Sequence, residues 1–280
     1  MLPALLFLFV FVYAPAGMSL GLGFFHYHLL GVNTTWGGLG DFKEALTYNV
    51  FWIGLENTLV YAAIMVPLTL AGSVAIAILI QRQTRFFTFI RTLVLLPYIT
   101  PVIATSIGWL WMFDPQYGVL NAILVALHLP PSQWLLSPEM AMPSVAFYSL
   151  WHGLGFDVII VLAALSNIPS VVLEAAAIDG ATTWRRFWNV LLPLLSPTMF
   201  FLSIITTIAT LQSFSQIYAL SGGNGGPEYA TTTLLLLIYQ TAFKDYHLSY
   251  AAAMALLLVL LILVLTLVQN WLSKRWVFYQ

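Results

Sequence analysis

Six stretches of this chain, at about residues 2–22, 57–80, 90–113, 143–166, 194–220 and 248–271, are each long and apolar enough to cross a bilayer as an α-helix of about 20 residues. Repetition on this scale rules out a single anchor and predicts an all-α membrane protein with six transmembrane helices. With 61% apolar residues, 7% charged residues and a mean hydropathy of +0.92, the chain cannot present a water-soluble surface. The stretches between spans are short, so residues 1–280 read as one transmembrane domain, with a core at about 57–272 and no separate soluble module. A net charge of −1 gives no reason to expect nucleic acid as a partner, and the absence of cysteine excludes disulfides, thiolate metal sites and cysteine nucleophiles. Among five histidines only His26 and His28 are closely spaced, and no metal site is expected.

Lys and Arg flanking a span resist translocation, so their distribution sets orientation. With the N-terminus inside, Arg82, Arg85, Arg91, Arg185, Arg186, Lys274 and Arg275 are cytoplasmic and only Lys43 and Lys244 are outside, which predicts N-in and C-in. Trp52, Trp109, Trp111, Trp151, Trp271 and Trp276 fall near the expected span ends, as headgroup-level rings do. The first run ends near Ala14-Pro15-Ala16, which resembles a cleavage site, but it lacks a basic leading segment and reads as a retained helix.

Along the chain, the polar, glycine-rich Asn33–Gly40 segment is expected as an outer loop, followed by an amphipathic stretch from Asp41 to Trp52 on the outer interface. Pro67, Pro97 and Pro101 predict kinks, because each removes a backbone donor that neighbours or water must replace. Asp157 lies near the middle of the fourth span, where an unsatisfied charge costs about 2.5–3.5 kcal/mol, so it should face the bundle interior or a wet cavity. His152 is five residues away, about 140° around the helix, and is not expected on the same face. On the fifth span Ser203, Thr206, Thr210 and Ser213 fall within an arc of about 80°, and Gln212 and Gln216 widen that stripe toward its outer end. Interhelical contact would explain the hydroxyls, but the glutamines favour a solute pathway suited to a sugar or polyol. The small residues from Ser249 to Ala255 predict a close helix contact on the sixth span.

The segment at about 167–193 is mostly polar and lies between two spans. Pro169 and Ser170 should open a short helix, Gly180 should close it in a left-handed turn, and Thr182 or Thr183 should cap a second short helix running toward Pro193. Such a hairpin can seat in another protein's groove or lie on lipid headgroups.

This segment resembles the signature of the membrane subunits of binding-protein-dependent ATP-binding-cassette (ABC) importers: Glu-Ala-Ala, three residues, Gly, nine residues, Ile, one residue, Leu-Pro. Glu174, Ala175, Ala176, Gly180, Leu192 and Pro193 match it, with Val190 in place of the isoleucine. Leu96-Pro97, Pro101, Trp109, Ile168-Pro169, Gly225-Gly226-Pro227 and Thr231-Thr232-Thr233 are similar to landmarks of the carbohydrate branch, the maltose- and glycerol-3-phosphate-type permeases. Asp157 is a departure, standing where relatives often carry a neutral polar residue.

The resemblance implies the type I ABC importer permease fold and a place in the prokaryotic cytoplasmic (inner) membrane, with a cytoplasmic coupling helix that uses Glu174, Ala175, Ala176, Asp179, Gly180, Leu192 and Pro193. It also implies a second homologous permease, two ABC ATPase subunits, an extracytoplasmic solute-binding protein and a small-molecule solute. No G-x-x-x-x-G-K-[ST] phosphate loop occurs, and Ser221–Gly226 reads as a flexible outer loop. ATP and Mg are therefore expected on the partner ATPase, this chain being non-catalytic with no cofactor of its own. The solute pathway is expected to include Asp157, Thr206, Thr210, Gln212, Ser213 and Gln216. The lack of Lys or Arg deep in any span favours a neutral sugar over glycerol-3-phosphate or a glycerophosphodiester. A proton-coupled secondary transporter using Asp157 and His152 is the rival reading, and a scaffold without transport is the third.

Overall fold

The computed structural model of the chain describes residues 2–27 and 34–274; His28, Asn33, Arg275 and Trp276, considered above, lie outside them. Nearly everything described is helical. Five helices are long and apolar enough to span a membrane: α1 (Leu2–Phe24), α3 (Asn49–Ile80), α7 (Pro138–Ser166), α9 (Thr183–Leu211) and α12 (Leu248–Ser273). A further pair, third in chain order, qualifies only when taken together: α4 (Arg85–Ile99) and α5 (Val102–Met112), bent by 98°. Shorter helices are α2 (Gly40–Thr47), α6 (Val119–Ala126), α8 (Ser170–Ile178), α10 (Ser215–Leu220) and α11 (Leu234–Lys244).

The bend between α4 and α5 is far sharper than the expected kink, and the local chemistry explains it. Pro101 has no N–H and forces the preceding residue away from helical angles, so Thr100 is extended at φ −78°, ψ 147°. The bundle satisfies the groups this exposes. His152 Nε2 lies 3.2 Å from the Thr100 carbonyl, and the Tyr148 hydroxyl donates to the Val102 carbonyl at 2.9 Å and lies 2.7 Å from Thr105 Oγ1. Gly155 packs α7 directly on α4, since a Cβ there would come within 2.2 Å of the Val94 carbonyl oxygen.

α3, α7 and α9 pack side by side, with one apolar cluster built on Val74, Val158, Val161, Leu195 and Leu202 and another on Tyr61, Trp109, Tyr148, Ile217 and Leu236. The first cluster is flanked by Phe87, Ile90, Ile168, Phe187 and Leu191, which defines the hairpin end of the bundle; the second is flanked by Leu120 and Trp134 at the opposite end. Trp109 is 7% exposed, ringed by Phe113, Phe147, Tyr148 and Trp151, and is therefore a core residue, not an interfacial one. Trp151 sits inside α7, well away from its ends.

Several sequence expectations shift. α2 buries Phe42 and Ala45 against the bundle, and Phe51 and Trp52 already belong to α3. Phe25–His26 and Thr35–Trp36 form a two-stranded antiparallel ladder where only a loop was expected. The fifth span stops at Leu211 because Phe214 breaks the helix at φ −134°, ψ −60°, so α10 is a separate element. The small residues of α12 make an internal contact: a Cβ on Gly23 would meet the Ala253 backbone nitrogen at 2.8 Å. The Ser221–Gly226 loop is tied down, because Lys244 Nζ and Gln240 Nε2 donate to the Gly223 carbonyl at 2.6 and 2.9 Å.

Candidate coupling hairpin and solute cavity

Residues 167–193 project from the hairpin end. α8 follows Pro169, whose extended ψ of 130° starts the helix. It closes in a Schellman arrangement, with Gly180 at φ +77°, its N–H on the Ala177 carbonyl at 3.1 Å and the Ala181 N–H on Ala176 at 3.0 Å. Glu174, Ala175, Asp179 and Gly180 are exposed and Ala176 is partly covered; no residue of α8 is buried, and Ile178 is 87% exposed.

The expected second short helix is not separate. Thr182 caps the start of α9, accepting from the Arg185 N–H at 3.3 Å, and the helix then runs without interruption through Leu192 and Pro193 into the bundle. A π turn at Phe187–Leu191 makes this possible, because widening the helix before Pro193 relieves the clash of its ring with the preceding turn. The same pairing of a π turn with a proline two residues on occurs in α1, at Phe9–Tyr13 and Pro15. Arg186 Nε is buried without an acceptor among the described residues.

Inside the bundle an open cavity of about 240 Å³ is lined by α3, α4, α5, α7, α9 and α10. Asp157, Thr206, Thr210, Ser213 and Gln216 all line it; Gln212, at the end of α9, is exposed and does not. Gln216 Nε2 donates to Ser213 Oγ, and Thr210 Oγ1 donates back to the Thr206 carbonyl at 2.8 Å. His152 lines the cavity together with Asp157 in spite of their angular separation, because the cavity wraps a wide arc of α7 from Ser149 to Asp157. Asp157 is 8% exposed, and its carboxylate has no ion-pair or side-chain hydrogen-bond partner among the described residues.

Sequence reasoning missed the aromatic part of the wall: Tyr61, Tyr98, Tyr148 and Phe156. Tyr98 and Phe156 stack at 4.9 Å with 21° between planes. The i, i+4 repeat of Tyr61, Met65 and Thr69 was the available signal, and it looks the same as core packing.

Residues 73–278 match the family model described as binding-protein-dependent transport system inner membrane component. The chain is 35% identical over 248 residues to the probable ABC transporter permease protein YesP of Bacillus subtilis, covering 88% of this chain and 80% of the relative. It is 33% identical to the lactose transport system permease protein LacF of Rhizobium radiobacter, covering 87% and 83%. Identity is again 33% to the sn-glycerol-3-phosphate transport system permease protein UgpA of Yersinia pestis, covering 89% and 84%. A chain of the crystal structure of a bacterial alginate ABC transporter, in complex with an alginate pentasaccharide-bound periplasmic protein, superposes with a TM-score of 0.85 at 24% identity, covering 98% of this chain and 92% of that one.

Proposed function

Because the chain belongs to the binding-protein-dependent transport system inner membrane components, the permeases of ABC importers, we propose that it forms half of a pathway for a sugar or related polyol and couples to ATPase subunits through the 167–193 hairpin. One observation carries the coupling reading. α8 is closed by the Schellman turn at Gly180 and held on the bundle by α9, yet it buries none of its residues; its Ile178 and, on α9, Trp184 are 87% and 71% exposed. A rigid apolar projection in water is a docking surface, and the exposed Glu174 and Asp179 supply its polar rim.

The described cations agree with a cytoplasmic hairpin. Arg82, Arg85, Arg91, Arg185, Arg186 and Lys274 lie toward the hairpin end, and Lys43 and Lys244 toward the other, which favours N-in and C-in. The cavity, at about 240 Å³, is smaller than the roughly 300–1,000 Å³ that takes a whole small molecule. A second homologous permease completes it, and an extracytoplasmic binding protein delivers the solute. ATP and Mg reside on two ATPase subunits; closure of that pair moves the hairpin and turns the cavity from one side to the other. The ATPases bias the equilibrium only through contacts that differ between the two states.

Glu174→Lys tests the docking role at an exposed position; Gly180→Pro tests it through the turn, since proline can neither adopt φ +77° nor supply the N–H held by Ala177. In the reconstituted complex each variant should assemble at parental levels and lower ATP-driven uptake about tenfold or more, the loss expected when an interface charge or its geometry is broken. Parental uptake rates in both would end the coupling assignment. Uptake that survived ATP depletion and collapsed with the proton gradient would instead establish a proton-coupled carrier.

A further inference from the structure

We propose that Asp157 selects for a solute carrying a cationic nitrogen, such as an amino sugar, by pairing with that ammonium group inside the cavity. The inference rests on the solute-pathway reading above and adds the charge of the solute. Among the described residues, Asp157 is the only Asp, Glu, Lys or Arg in the cavity lining. Acids buried in a membrane bundle ordinarily pair with a cation on a neighbouring helix. Here the described Lys and Arg lie toward the ends of the bundle, and none reaches this carboxylate. Of the polar neighbours, Thr206, Thr210 and Ser213 carry hydroxyls and Gln216 an amide, none of them cationic, and His152 Nε2 is directed at the Thr100 carbonyl, with no hydrogen bond or ion pair to Asp157. No described Lys or Arg of this chain occupies the place opposite the acid, and the cavity is open to a solute that brings a cation there.

The stacked Tyr98 and Phe156 rings stand beside the acid. Their faces suit both the C–H side of a sugar ring and the attraction of a cation to a π system. An anionic solute would meet an unneutralised carboxylate in a low-dielectric site, where like-charge repulsion is strong.

The test uses the complete purified complex, without its binding protein so that the cavity alone discriminates. Equilibrium dialysis compares three disaccharides of matched size: a glucosamine disaccharide with free ammonium groups, a neutral glucose disaccharide and a galacturonate disaccharide. The ammonium-bearing probe should bind about tenfold or more tighter than the neutral one, the ratio expected of a charge-assisted hydrogen bond, and the galacturonate probe weakest. Asp157→Asn should abolish the preference and Asp157→Glu should retain it. Equal binding of ammonium and neutral probes, or an unchanged preference in Asp157→Asn, overturns the charge assignment and leaves the sugar pathway standing. Binding of none of the three overturns both.

Discussion

Gly155 is a position at which a single methyl group should disrupt the packing of two spans. Its missing Cβ is where the Val94 carbonyl oxygen sits, 2.2 Å from the ideal Cβ position, with the Val94 carbonyl carbon at 2.9 Å, so the obstacle is backbone and cannot rotate aside. Gly155→Ala should destabilise the bundle by about 1–3 kcal/mol, the usual cost of overpacking, read as a lower melting temperature of the purified complex. Gly153, two residues earlier, has nothing within 4 Å of a Cβ, and Gly153→Ala serves as the control. The sequence distinguishes these two glycines poorly, because both lie in one apolar run. It identifies Gly180 well: a glycine closing Val171–Ile178 has an obvious left-handed role, and the structure gives it φ +77°. Asp157 is equally visible as a charge in an apolar span, whereas Trp109 reads as interfacial from its position and is core by its contacts.

Between α4 and α5 the break at Thr100 and Pro101 depends on two side chains of α7, one turn apart, that accept different tasks. Removal of the Tyr148 hydroxyl loses its bonds to the Val102 carbonyl and to Thr105 Oγ1, but Ser106 Oγ and Thr105 Oγ1 still reach that carbonyl at 2.7 and 3.0 Å, so Tyr148→Phe should cost about 1 kcal/mol. His152→Ala leaves the Thr100 carbonyl without its donor and should cost more, about 1–3 kcal/mol. Thermal melting of the two variants in the same complex checks the order; a larger loss in Tyr148→Phe would contradict it. Hydropathy marked the 90–113 span correctly but averaged across this break, since a window sees composition and not the missing N–H of Pro101. The same averaging carried the fifth span past Leu211 and placed Gln212 on the pathway face, where the end of the helix turns it outward. The π turn before Pro193 was likewise invisible, because a proline reads as a start signal wherever a widened turn lets the helix continue through it.

For the molecule as a whole, the five long apolar helices, the apolar stretch of the α4–α5 pair and the hairpin before α9 were legible from apolar run length and local turn signals, properties that need no knowledge of packing. The cavity was legible only in part, because its aromatic wall has the composition of a core. The chain contains no cysteine, so single reporters can test its orientation without a background. Ser170→Cys on the hairpin and Asn224→Cys on the opposite loop should react with a membrane-impermeant maleimide from the cytoplasmic and outer sides respectively. Labelling of both from one side would refute the six-crossing arrangement. The Gly155 contact binds α4 and α7 into a single stiff beam, since neither can slide along the other while backbone meets backbone. At its far end that beam meets α5 through a 98° corner. A push delivered lengthwise along α4 therefore arrives at α5 as a sideways swing, the action of a bell-crank lever.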